Sequence, residues 1–189
     1  MDDFQKVKRN VLNRLSELSS DLTYHCLDHT LDVLEQSVRI AADENVVSDR
    51  DIHLLKIAAL YHDTGFLLTY AEHEIKSCEI FLADADEYDL SMEEKSVIIN
   101  LIMVTQIPQL PVTLLEKIIC DADLDYLGRE DFFSIADNLR KEFLCYKVVA
   151  DDEEWEQVQL KFLLNHKYPT HSSQKLREPA KQFNFTKLV

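Results

Sequence analysis

A chain of 189 residues with only two glycines and four prolines has little of the punctuation that hairpins and tight turns require. Its apolar residues recur instead every three or four positions, as in Phe4, Val7, Val11, Leu15 and Leu18, a spacing that gathers side chains on one face of an α-helix. The chain therefore reads as all-α, a compact helical bundle. With 46% apolar residues at this length it can bury one core, so residues 1–189 are expected to form a single domain.

Local signals divide the bundle. The first expected helix covers residues 2–19 and ends at Ser19-Ser20-Asp21. The second runs from about Thr23, as N-cap, to Glu44, so that His25 and His29, four residues apart, share a face. Ser48 with Asp51 resembles a capping box, and the following run IHLLKIAALYHD extends to Gly65, whose tolerance of positive φ suits a helix C-terminus. Further helices are expected near 70–85, 91–105, 111–127, 131–149 and 151–165, the third of this set of starts being marked by Pro108 and Pro111 and the second by Ser91 with Glu94. This gives an N-terminal packing helix (1–20), a core (22–150), and a C-terminal helix with a basic tail (151–189).

The formal charge of −15 repels polyanions, which argues against DNA or long RNA as partner. That charge is uneven: residues 157–189 hold six basic side chains and one acid, Glu178, so the tail is expected to fold back onto an acidic body. Within it His166, Tyr168, His171, Lys175, Arg177 and Lys181 could form either a lid that neutralises a substrate phosphate or a solvated basic surface. The opening MDDFQKVKRN lacks the apolar stretch of a secretory signal, and no run of apolar residues is long enough to span a membrane; a cytoplasmic protein is expected. Four cysteines without CxxC spacing are read as thiols of the helical core.

Chemistry concentrates in four residues. His62 and Asp63 end the apolar helix LLKIAALY, which would carry an imidazole and a carboxylate into the interior, at a cost unless both find partners. A divalent cation relieves that cost, since imidazole nitrogen and carboxylate oxygen are ligands it accepts. His29 can supply a third ligand from the neighbouring helix and Asp121, after the apolar run LLEKIIC, a fourth.

The pattern His29…His62-Asp63…Asp121 resembles the H…HD…D signature of the HD superfamily of metal-dependent phosphohydrolases, over roughly residues 22–150. The resemblance implies a helical domain of that phosphodiesterase-like type, with one divalent metal (Mn, Mg, Fe, Co, Ni or Zn) on those residues and Asp123 as the alternative register to Asp121. Tyr24-His25-x-x-x-His29 is also similar to a segment of cyclic-nucleotide phosphodiesterases, which makes His25 the candidate general acid. His73 and Glu74 would contact substrate or a second cation, although Thr105 stands where two-metal branches often place histidine. The alarmone-hydrolase branch carries an acidic pair just after its HD, whereas this chain continues TGFLLTY.

The implied activity is hydrolysis of a phosphate ester, of a nucleotide or a small phosphorylated metabolite. Water activated by the metal would attack phosphorus, Asp63 or Asp121 would help accept its proton, His25 would protonate the leaving group, and Arg177 or Lys181 would offset charge on the phosphoryl oxygens if the tail closes over the site. The alternative is an inactive nucleotide-sensing or scaffold module on the same bundle. No membrane or nucleic-acid polymer is expected as a partner, and a homodimer stays open.

Overall fold

The computed structural model describes residues 3–189. Met1 and Asp2, where the first helix was expected to begin, lie outside them. Among the described residues there are nine α-helices and no strand: α1 (Asp3–Leu15), α2 (Leu27–Asp43), α3 (Asp49–Tyr61), α4 (His73–Asp84), α5 (Met92–Met103), α6 (Leu114–Asp123), α7 (Phe132–Cys145), α8 (Asp152–Asn165) and α9 (His171–Thr186). Short 3-10 turns at 64–67, 85–87 and 125–128 join them. The expected all-α class is what is found, and no helix among the described residues is long and apolar enough to cross a membrane.

Helix α3 is the axle of the structure. From Leu54 to Tyr61 every residue except Lys56 is buried, the pattern of a helix covered on all sides. Helices α1, α2, α4, α5 and α6 pack around it, and their apolar faces form one core that includes Val7, Val11, Ile40, Leu55, Phe81, Ile98 and Ile118. Ser48 caps α3 by accepting from the Asp51 amide, and Ser91 with Glu94 forms a complete capping box on α5, both as the sequence suggests. A second apolar cluster lies beyond, where Tyr126, Phe132, Trp155, Leu163 and Tyr168 join α7 and α8 to the 125–128 turn.

Helix ends shift by a few residues throughout, and three features differ from expectation in ways that bear on the site or the core. Helix α2 begins at Leu27 rather than Thr23, because the Tyr24 and His25 amides donate to the Glu142 carboxylate on α7, at 2.9 and 3.0 Å, instead of entering a helix. The basic tail is a helix, α9, capped by Thr170, which accepts from the Ser173 amide. It packs on the 125–128 turn, where the Asn184 side chain donates to the carbonyls of Leu127 and Arg129. Of the cysteines, Cys78 and Cys120 are buried, Cys26 is half-buried and Cys145 is exposed, so only part of that set belongs to the core.

Gly65 is required for closeness rather than for a positive φ, which it does not have. A Cβ there would lie 1.9 Å from the His73 carbonyl oxygen and 2.9 Å from the Ser77 nitrogen. This lets the turn after α3 press against the start of α4, where Ser77 Oγ accepts from the Gly65 amide and donates to the His62 carbonyl. Gly65→Ala is therefore expected to destabilise the protein by about 1–3 kcal/mol, as overpacking does, read as a fall of about 2–12 °C in thermal midpoint. An unchanged midpoint would show that the contact yields freely.

Candidate metal centre

The end of α3, the first turn of α2 and the end of α6 converge on one point. His62 is fully buried, and its Nδ1 donates to the Ala59 carbonyl at 2.9 Å. A carbonyl can only accept, so the proton stays on Nδ1 and the Nε2 lone pair faces the centre. His29 Nε2 lies 3.4 Å from His62 Nε2. Asp63 Oδ2 lies 3.4 Å from His29 Nε2 and 3.2 Å from His62 Nε2, and Asp123 Oδ1 lies 3.3 and 3.8 Å from the same two nitrogens. Gln109 orients Asp123 by donating to its other oxygen at 2.9 Å.

These donors fit a divalent cation. Ligands about 2.1 Å from a common ion sit roughly 3.0–3.4 Å apart, close to the separations found. His29, His62 and Asp123 bring one ligand atom each within 4.8 Å of one another, and the buried Asp63 Oδ2, directed at both imidazoles, has no hydrogen-bond partner. The electrostatics agree. Burial would push the His29 pKa down, yet Asp123 and Asp63 together raise it to about 10. Burial likewise opposes ionisation of Asp63, but the imidazoles of His62, His29 and His73 hold its carboxyl well below the usual range. Without a metal, the pocket demands a positive charge and takes it as a proton.

Around this centre stand His73 and Glu74, at the start of α4. His73 Nε2 is 3.3 Å from Asp63 Oδ1 and 3.5 Å from Glu74 Oε1, and its ring stacks on Phe66 at 3.9 Å. His25 also stacks on Phe66, at 4.2 Å, with its ring centre 5.9 Å from that of His29 and 6.0 Å from that of His73. The sequence places His25 one helical turn from His29; it instead lies in the irregular segment before α2 and reaches the same point by another route. Its Nδ1 is paired with the buried Glu142 carboxylate, which also accepts from Tyr70 Oη at 2.9 Å and from the two backbone amides. Burial opposes ionisation of Glu142, but His25 and the amides lower its pKa. Thr105 lies near the centre, its hydroxyl donating to the Ile102 carbonyl at 2.8 Å.

Three expected site residues are elsewhere. Asp121 is turned away from the imidazoles: its carboxylate accepts from the Thr170 hydroxyl and, at 2.9 Å, from the Thr170 amide, which ties α6 to the start of α9. The nearby alternative, Asp123, occupies the centre. Arg177 is held by Asp125, with contacts of 2.9 and 2.8 Å, beside Arg39, which reaches Asp125 Oδ1 at 2.7 Å. Lys181 is buried, donating to the His166 carbonyl at 2.6 Å and pairing with Glu178 at 2.8 Å. The tail basic groups thus anchor α9 rather than form a lid. Glu142 was missed, although it falls at the buried end of the α7 stripe after Phe132 and Ala136, where an acid signals a partner.

A helical bundle that brings two imidazoles and two carboxylates to one point has a donor set that could hold a metal ion. The family model for the HD domain matches residues 26–125, more than half of the chain, and the chain belongs to that family. HD domains bind divalent metals, and their superfamily is one of metal-dependent phosphohydrolases. No curated protein matches the chain.

Because Asp125 is fully buried and held by Arg39 as well as Arg177, Arg177→Ala, which removes a charged hydrogen bond, is expected to cost about 1.5–3 kcal/mol and lower the thermal midpoint by about 3–12 °C, with metal content unchanged. Loss of phosphate affinity at unaltered stability would instead restore the lid.

Proposed function

We propose that this HD domain hydrolyses a phosphate ester of a nucleotide or other small phosphorylated metabolite at a centre formed by His29, His62, Asp63 and Asp123. The observation that carries the reading is the convergence of those four donors beside a histidine that is itself held by a buried carboxylate. With Glu74 and Glu142 close by, the pocket has an excess of acids, and an anionic phosphate would be repelled unless a cation intervened. One divalent ion bound there would supply Lewis acidity toward a phosphoryl oxygen and lower the pKa of a water molecule.

The protein side chains do the rest. Glu142 accepts from His25 Nδ1 and thereby sets Nε2 as the group that exchanges a proton with the substrate. His25 then donates from Nε2 to the departing oxygen. Phe66 stacks against both His25 and His73 and holds their ring centres 6.0 Å apart. Asp63, which touches His29, His62 and His73 together, is placed to accept the proton of the attacking water. His73 and Glu74 border the space left for substrate.

The test is turnover of p-nitrophenyl phosphate and bis(p-nitrophenyl) phosphate by the full chain with added Mn²⁺. Wild type is expected to hydrolyse at least one of them, and His25→Ala to lower kcat by about 10²–10⁴-fold. Glu142→Gln is expected to lower kcat less than His25→Ala does, because the imidazole stays but loses the carboxylate that orients its Nε2. Absence of turnover with every metal tried would favour a sensing or scaffold role.

A further inference from the structure

The metal centre opens into a cavity of about 300 Å³, at the small end of the range for small-molecule sites. Its lining is of two kinds. One is a polar set at the metal centre, His25, Asp63, His73, Glu74, Thr105 and Asp123. The other is an apolar wall from α7 and α8: Leu139, Phe143, Trp155, Val158, Phe162 and Leu163. Phe143 meets Trp155 edge-to-face with ring centres 5.5 Å apart, so the wall is a packed aromatic surface. No lysine or arginine lines the cavity among the described residues; Arg177 and Lys181 are engaged with Asp125 and with His166 and Glu178.

We infer that the substrate of this cavity carries one phosphate on an uncharged, mostly apolar group that lies along the α7–α8 wall, and that di- and triphosphates are poor ligands. The inference rests on the hydrolase reading for the phosphate end and on the wall for the other. A single phosphate matches a single cation. Each further phosphate would extend from the metal toward α7–α8 side chains that offer no counter-charge and only the Trp155 indole and the Gln159 amide as donors, and burying an unpaired charge there is strongly unfavourable. An aryl or alkyl group in the same place gains by leaving water.

The wall carries its own reporter, since Trp155 is the single tryptophan of the chain. The full-length protein, with Mg²⁺ in excess over ligand, would be titrated with methylphosphonate, 1-naphthylmethylphosphonate and phenyl diphosphate, following Trp155 emission and heat of binding. The naphthyl compound is expected to bind about tenfold or more tightly than methylphosphonate, to change Trp155 emission, and to outcompete phenyl diphosphate. Val158 is 40% exposed at the rim, so Val158→Lys should leave the fold intact, weaken the naphthyl preference and improve diphosphate binding. Equal affinity for the methyl and naphthyl compounds, tighter binding of the diphosphate, or no binding of any of them would overturn the inference. Hydrolysis of esters without regard to their apolar group would overturn it while leaving the hydrolase reading in place. Selective naphthyl binding with no ester turned over would uphold the wall as the ligand site and remove the hydrolase reading.

Discussion

Two imidazoles and two carboxylates face one another in a space from which water is largely excluded, and this arrangement holds only if a positive charge sits among them. A carboxylate taken out of water and left unpaired would neutralise itself by taking up a proton. Here the imidazoles of His62, His29 and His73 hold the Asp63 carboxyl well below its usual range, and His29, between Asp63 and Asp123, holds its proton far more tightly than a free imidazole would. A divalent cation replaces that proton with a charge better suited to the donors. The placement of α2, α3 and α6 follows from this demand as much as from their apolar faces.

The rest of the fold keeps the donors rigid. Asp63 follows directly from the most buried helix of the structure, and the Ser77 hydroxyl ties the His62 carbonyl to α4. The close approach at Gly65 brings His73 to the same centre. On the opposite side Glu142 gathers two backbone amides, Tyr70 and His25 with one carboxylate. Helix α7 thereby serves two ends: its acid positions a histidine, and its apolar residues, with those of α8, wall the cavity. The tail contributes stability through Asp121–Thr170 and Asp125–Arg177.

What could be read from the sequence followed local rules. The scarcity of glycine, the apolar periodicity and the caps at Ser48 and Ser91 are local, and they delimited most helices. His29, His62 and Asp63 were legible because a histidine and an acid at the end of an apolar helix need partners. Long-range contacts escaped. Nothing near Tyr24 announces that its amide is bound by a carboxylate 118 residues away, so α2 was extended too far. Asp121 and Asp123 both follow an apolar run, and only the rotation of α6, set by Ile118, Ile119 and Ala122 in the core, decides which of them reaches the imidazoles. Helix α9 was missed because it carries Pro179 and buries Ser173, Lys181 and Asn184 rather than an apolar stripe.

That rotation is the most direct point of attack. Metal content by mass spectrometry would be measured for wild type, Asp123→Ala and Asp121→Asn, after each is reconstituted with Mn²⁺ and shown to be helical by circular dichroism. The account predicts that wild type and Asp121→Asn retain the ion while Asp123→Ala loses it. Retention by Asp123→Ala together with loss by Asp121→Asn would contradict the centre described, and with it the assignment of every group around it.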